Sequence, residues 1–191
     1  MKTVSSLGFK ERLRLWWLQR AGNPVQEVAW QGDKAASDLG VLLRAGAIDT
    51  VAQENLLFSA AHAGHAQLVA TLLDQGSDLN VNVRDPRGLA ALHHAATAVS
   101  LPTLEVLLKH GAEVGLKDKL GRTAAHHAAR VSAAVAALRL QGYACVDALV
   151  AAGADLASQD VYHQTVVETG GRAMGVHYGL LGSPRGPAVA P

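Results

Sequence analysis

Apolar residues along this chain fall into two alternating kinds of stretch. Paired alanines at Ala60-Ala61, Ala95-Ala96 and Ala128-Ala129 sit in short runs, each followed by a bulkier pair at Leu72-Leu73, Leu107-Leu108 and Leu149-Val150. Small side chains let a first helix lie close to its neighbours, and the Leu pairs supply the apolar face of a second helix. Neither helix can bury its face alone. Gly76, Gly111 and Gly153 come just after the Leu pairs, where a left-handed C-terminal cap is expected. Gly88 and Gly121, each three residues after an aspartate (Asp85, Asp118), mark a turn before the next helix.

The pattern is periodic. Leu57, Leu92 and Ala125 open equivalent stretches at spacings of 35 and 33 residues. The three units are NLLFSAAHAGHAQLVATLLDQGSDLN from Asn55, GLAALHHAATAVSLPTLEVLLKHGAEVG from Gly88, and GRTAAHHAARVSAAVAALRLQGYACVDALVAAGADLA from Gly121. From the second alanine of each pair to the first residue of the bulky pair the distance is 11 residues in two units (61 to 72, 96 to 107) but 20 in the third (129 to 149). Nine residues have therefore been added between Arg130 and Gly142. They are mainly Ala, Val and Leu without Pro, so they are expected to lengthen the first helix or add a helical turn before Gly142, protruding from the stack.

These motifs resemble the ankyrin repeat family. Its pattern D-x-x-G-x-T-P-L-H-x-A-A-x-x-G-H, then V-V-x-x-L-L-x-x-G-A-D-V-N, is matched by DPRGLAALHHAA from Asp85, DKLGRTAAHHAA from Asp118 and AAHAGHAQLVATLLDQGSDLN from Ala60. The resemblance implies an all-α helical-repeat solenoid of helix-turn-helix units joined by hairpin-like loops. There are departures: Leu56, Ala91 and Ala124 replace the family proline, and Phe58 replaces the histidine. Flanking units are weaker. NPVQEVAWQGD from Asn23 followed by VLLRAGAID looks like an N-terminal repeat. DVYHQTVVETGG from Asp160 looks like a degenerate last one, with His163 at the family glycine and Glu168 at the histidine; its second helix is not readable. The expected organisation is an amphipathic capping helix over 1–22, a repeat domain of about four to five units over 23–171 with the insertion near 130–142, and a degenerate cap with a disordered Pro/Gly-rich tail over 172–191.

Composition narrows the functional classes. Hydrophobic residues make up 49% of the 191 residues and aromatics only 4%, which suits closely packed helices. A formal net charge of +1 gives no pull toward nucleic acid. Cys145 is the one cysteine, so no internal disulfide forms, consistent with a reducing, cytoplasmic setting. Neither a signal-peptide apolar core nor a membrane-spanning run is present. At the N-terminus, Phe9, Leu13, Trp16 and Trp17 share one face while Lys10, Arg12, Arg14 and Arg20 make the remainder basic. This helix reads as an end cap, with Trp30 as packing partner, or alternatively as a membrane-surface anchor.

No catalytic constellation emerges. His93-His94 and His126-His127 recur at the repeat period, and His62 and His65 add further imidazoles. The resemblance implies that His93 and His126 hydrogen-bond near their helix starts and tie neighbouring units, so no metal is expected. Cys145 reads as core, Ser183 lacks a nucleophile elbow, no phosphate loop occurs, and Asp147 and Asp155 lack an apolar pocket. Neither enzymatic activity nor a cofactor is expected. The expected role is protein binding as an adaptor, inhibitor or regulator, by a chain monomeric on its own. A membrane-surface protein and an accessory subunit of an enzyme are the alternatives. In the family geometry the residues after the hairpin aspartate and after the paired alanines face a concave groove. Here they are Pro86, Arg87, Leu89, Thr97 and Ala98 in one unit and Lys119, Leu120, Arg122, Arg130 and Val131 in the next. Exposed aliphatics among Arg and Lys would favour a partner with acidic groups around an apolar spot.

Overall fold

The structure, a computed structural model, describes Gly8, Trp16, Val28 and residues 31–76 and 79–179. The helix expected near residues 9–20, apart from a helical Trp16, lies outside the described residues, as do Trp30 and the tail 182–191. A short 3-10 turn, Gly32–Ala35, leads into α1 (Ala36–Arg44). Four helix pairs follow: α2 (Thr50–Ala63) with α3 (Ala66–Gln75), α4 (Ala91–Thr97) with α5 (Leu101–Lys109), α6 (Ala124–Ala134) with α7 (Arg139–Ala151), and α8 (Val166–Thr169) with α9 (Gly171–His177). Helices α2, α4, α6 and α8 pack in sequence as an inner row, and α1, α3, α5 and α7 as an outer row. Among the described residues there is no strand; single bridges Arg84–Ala90 and Gln159–Thr165 close two hairpin-like loops. The chain is an all-α repeat solenoid, and none of these helices is long and apolar enough to cross a membrane.

Packing follows the two kinds of apolar stretch. The alanine pairs of α2, α4 and α6 are fully buried where inner helices meet, and Leu72, Leu107 and Leu149 of the outer helices are sealed in the same core. Burying one such leucine is worth roughly 1.5–3 kcal/mol, so a unit without neighbours loses most of its stabilisation. Helix ends are set locally. Asp49 caps α2 by accepting from the Ala52 amide at 2.7 Å, which starts this helix a turn before the repeat pattern becomes visible. Gly111 and Gly153 adopt the left-handed geometry expected after α5 and α7 (φ 82° and 95°). Gly76 does not: it follows α3 with φ −67° in an extended conformation. Its lack of a side chain serves a close approach instead, because a Cβ there would collide with the Leu72 carbonyl and meet the Gln53 side-chain oxygen at 3.0 Å.

Two histidines join consecutive units. His93 Nδ1 accepts from the Ala90 amide (3.1 Å), and its Nε2 faces the Leu116 and Arg122 carbonyls of the next loop at 3.0 and 3.2 Å. His126 repeats this, accepting from the Thr123 amide at 3.2 Å and reaching the Gln164 carbonyl at 3.2 Å. An Nδ1 that accepts fixes the neutral tautomer with its proton on Nε2, so the ring donates onward to the carbonyls. Two other units differ. Phe58 takes this position in α2 and packs its ring 5.5 Å from that of His94. Glu168 takes it in α8, where it accepts from the Thr165 amide at 2.8 Å but has no proton to pass on.

The added residues of the third unit form a projecting helical hairpin. Helix α6 runs 11 residues against seven in α4, breaks at an extended Val135, and continues through a 3-10 turn (Ala136–Leu138) into a 13-residue α7. Residues 133–141 are all exposed, and Leu140 is the most open of their large apolar side chains at 80%. At its base the two helices cross at Gly142, where a Cβ would lie 2.5 Å from the Ser132 Cβ. A second helix of the last unit, which the sequence does not reveal, is present as α9. It packs on α6 and α8, buries Met174 completely, stacks His177 on Tyr143, and is followed by Tyr178, whose hydroxyl donates to Asp147 at 2.7 Å.

Two outcomes follow from this packing. Gly142→Ala would gain about 1 kcal/mol in helix propensity, but overpacking against Ser132 costs typically 1–3 kcal/mol. The substitution is therefore expected to lower the urea midpoint, and a raised midpoint would show that the hairpin is not tightly crossed. The second outcome concerns acid. Burial holds the pKa of His93 and His126 below 6.5, against the weaker upward pull of the carbonyls they face. The unfolded chain thus binds more protons below pH 6.5, so stability is complete above that value and falls as pH drops through it. Melting temperatures measured from pH 7.5 to 4.5 should decline, and His126→Gln should flatten the decline; a wild-type profile flat across this range contradicts the assignment.

Candidate functional site

The loops entering α4 and α6 are built alike. Asp85 Oδ1 accepts from the amides of Arg87 (2.8 Å) and Leu89 (2.9 Å), and Asp118 Oδ1 from those of Leu120 (2.8 Å) and Arg122 (2.9 Å). Each carboxylate thereby folds its own hairpin. The second oxygen faces inward: Asp118 Oδ2 accepts from Arg122 Nε (3.2 Å) and His127 Nε2 (3.0 Å), and Asp85 Oδ2 lies 3.4 Å from Arg87 Nε and 3.3 Å from His94 Nε2. This last contact falls outside good hydrogen-bond geometry, leaving His94 Nε2 buried and poorly satisfied. Burial pushes both carboxyl groups up, but the amides and neighbouring cations outweigh it, and both stay below 3.8. They are anions whose charge is consumed inside the loop.

Between these hairpins and the inner helices lies an open groove of about 400 Å³. Arg87, Lys119 and Leu120 overhang it from the hairpin tips, His62, Thr97 and Arg130 line it from α2, α4 and α6, and His94 and His127 form its floor. Among the described residues, four basic side chains (Arg87, Lys119, Arg122, Arg130) face one lining carboxylate, that of Asp118. Arg122 is half-neutralised by Asp118, with its side chain only 17% exposed, whereas Arg87 is 72% exposed. Among the described residues Lys119 and Arg130 have no carboxylate partner; Arg130 reaches only His127 Nδ1, at 3.5 Å. The groove is electropositive although the whole chain carries a net charge of +1.

One row of side chains has the outline of hydrolytic machinery. Thr97 Oγ1 lies 3.3 Å from His127 Nδ1, and His127 Nε2 is bonded to Asp118. The chemistry of an activated nucleophile is missing. Thr97 gives its proton to the His93 carbonyl at 2.9 Å, a helix-internal bond. Burial holds the His127 pKa at about 4 despite the Asp118 hydrogen bond, so the ring is a weak base at neutral pH. The row fixes α4 against α6. Cys145 is a buried thiol pushed up to about 11 by desolvation. Among the described residues no three His, Cys, Asp or Glu are placed to hold a metal ion.

Of the ten residues expected to face a concave surface, eight line this groove: Pro86, Arg87, Leu89, Thr97, Lys119, Leu120, Arg122 and Arg130. Ala98 and Val131 do not line it. Ala98 ends α4 as its C-cap, and Val131 packs against the core because it points between helices one position beyond Arg130. Leu89 is not the free aliphatic the pattern implies, being only 8% exposed once Asp85 holds its amide. Leu120 is therefore the one exposed aliphatic of the expected set that lies in the groove. Sequence reasoning missed His62, His94, Asp118 and His127 as lining residues, though a signal exists: an aspartate is followed nine positions later by a histidine in both units (85 to 94, 118 to 127).

The stretch from Asp160, read as the opening of a degenerate last repeat, folds a third hairpin whose tip the expected binding set leaves out. Asp160 Oδ1 accepts from the amides of Tyr162 (2.8 Å) and Gln164 (3.0 Å), the same lock again, and places Val161 and Tyr162 at its tip. His163 occupies the position filled elsewhere by Gly88 and Gly121 and takes the same left-handed backbone, φ 59°. The tips are joined in series by backbone hydrogen bonds, Lys119 N to Arg87 O at 3.3 Å and Val161 N to Leu120 O at 3.0 Å.

Ankyrin repeats match the chain in three copies, over residues 35–118 and 56–160. That span contains α2 to α7, both locked hairpins of the groove and the imidazoles that tie unit to unit. The chain therefore belongs to the ankyrin repeat family, whose arrays are in general protein–protein interaction modules.

Proposed function

We propose that this protein acts without catalysis, as an adaptor, inhibitor or regulator that holds a partner protein in the groove between its hairpin tips and inner helices. The observation that carries this reading is the set of exposed cations, Arg87, Lys119 and Arg130, fixed over a groove whose one lining carboxylate among the described residues, that of Asp118, is already held by Arg122 and His127. Cations fixed on stiff hairpins and helices favour a partner surface with complementary acidic groups, steering encounter and fixing register. Leu120, exposed beside them, supplies the apolar spot.

The geometry also selects the variant that tests this. Arg122 holds Asp118, so replacing it with Glu would set two carboxylates together in the hairpin and damage the fold. Arg87 likewise holds Asp85 in its own hairpin, with Nε 3.4 Å from Oδ2, whereas Lys119 and Arg130 have no carboxylate partner among the described residues. The double variant Lys119→Glu, Arg130→Glu should keep wild-type circular dichroism and lose the protein that co-purifies with wild type. Retention of the same partner by the folded variant would move the interface off this groove.

A further inference from the structure

The three hairpin tips differ in chemistry along one direction, and they are bonded into one ledge. The first carries Pro86 and Arg87, the second Lys119 and Leu120, the third Val161 and Tyr162. Backbone bonds from Lys119 to Arg87 and from Val161 to Leu120 hold neighbouring tips in register, and each tip is pinned from inside by its own aspartate, Asp85, Asp118 or Asp160. Cationic chemistry thus occupies the end nearer α4. Apolar chemistry occupies the end nearer α8, where Leu120, Val161 and Tyr162 are 37, 53 and 67% exposed.

This apolar end is a feature of the surface and not spare core. Tyr162 and Val161 are absent from the hydrophobic core and from the side chains packed against it. Three adjoining exposed apolar side chains, one of them a tyrosine, have the composition of an interface centre. Arg87, Lys119 and Arg130 line the groove beside Leu120, and one oxygen of each hairpin carboxylate is turned onto backbone amides; Arg87 is shared with Asp85, while Lys119 and Arg130 have no carboxylate partner among the described residues.

Building on the groove-binding reading above, we propose that the ledge recognises an extended peptide segment of its partner that pairs an acidic residue with a large apolar one. The acidic residue lies over Arg87, Lys119 and Arg130, and the apolar residue lies on Leu120, Val161 and Tyr162. Charge complementarity selects the acid, because a carboxylate there meets several cations. Rigidity selects an extended segment. Tips locked by backbone bonds do not close around a globular knob, whereas an extended chain follows their line and spends little ordering energy on the receptor side. A polybasic segment is not the occupant, because the same cations repel it.

The test uses the full chain and a displayed library of random twelve-residue peptides, followed by fluorescence anisotropy with synthetic copies of the enriched sequences. Enriched peptides should share an Asp or Glu within a few residues of Leu, Ile, Phe or Trp. Their affinity should fall about tenfold or more in Val161→Ser/Tyr162→Ala and in Lys119→Glu/Arg130→Glu, and should weaken as salt is raised from 50 to 500 mM, as screening requires. Both pairs are exposed, so thermal unfolding should match wild type and confirm that the fold is intact. Peptides that lose binding in the charge variant but bind the Val161/Tyr162 variant like wild type overturn the ledge and leave the groove reading standing. Peptides indifferent to both variants overturn both. An enriched set without acidic residues, or no enrichment, rejects the proposed ligand chemistry.

Discussion

The helices among the described residues depend on burial that only their neighbours supply. Helix α4 has seven residues and α8 four, far below the length at which an isolated helix holds in water. They persist because Ala91, Ala95 and Ala96 of α4 and Val166 of α8 are sealed against adjoining inner helices. Alanine matters here for what it lacks. Side chains without bulk let backbones approach closely, and the large apolar volume is then delivered by the leucines of the outer row, Leu68, Leu72, Leu104, Leu107 and Leu149. Truncating one of these in a packed core typically costs 2–5 kcal/mol, a large share of any domain's stability.

Stacking alone does not fix where one unit sits on the next, and the polar residues do that. Asp85, Asp118 and Asp160 each shape a hairpin, and His93 and His126 carry a bond from their helix start to the following loop. Such buried polar links specify geometry because an alternative register would leave the imidazole without its acceptor. Two other units lack the imidazole: Phe58 stands at the histidine position with an aromatic contact to His94, and Glu168 keeps the capping half of the role without an onward donor.

Much of this was legible in the sequence because it is encoded as spacing. Alanine pairs and Leu pairs recurring near 33–35 residues declared the helix rows, and the excess between Ala129 and Leu149 declared an added helical stretch. What spacing could not declare is which side of a helix a residue takes at its end. Arg130 and Val131 are adjacent, yet one lines the groove and the other joins the core, a choice set by the rotation of α6. Gly76 was misread for a similar reason, since a glycine after a helix serves either a positive φ or a close approach. Helix α9 was invisible because its seven residues, GRAMGVH, carry one sealed apolar side chain, Met174, and two glycines in place of a periodic stripe.

Net charge was the least informative number of all, and the hairpins explain why. A chain of formal charge +1 looks electrically neutral to a partner only if its charges are equally accessible. Here they are not. Asp85 and Asp118 are turned onto amide groups, with pKa values held below 3.8, so they remain ionised while their fields are absorbed locally. Lys119 and Arg130 stay exposed, and Arg87, although near Asp85, leaves 72% of its side chain open. Turn formation thus sorts the charges: the folding requirement draws carboxylates inward, and the cations left outside give the groove its sign.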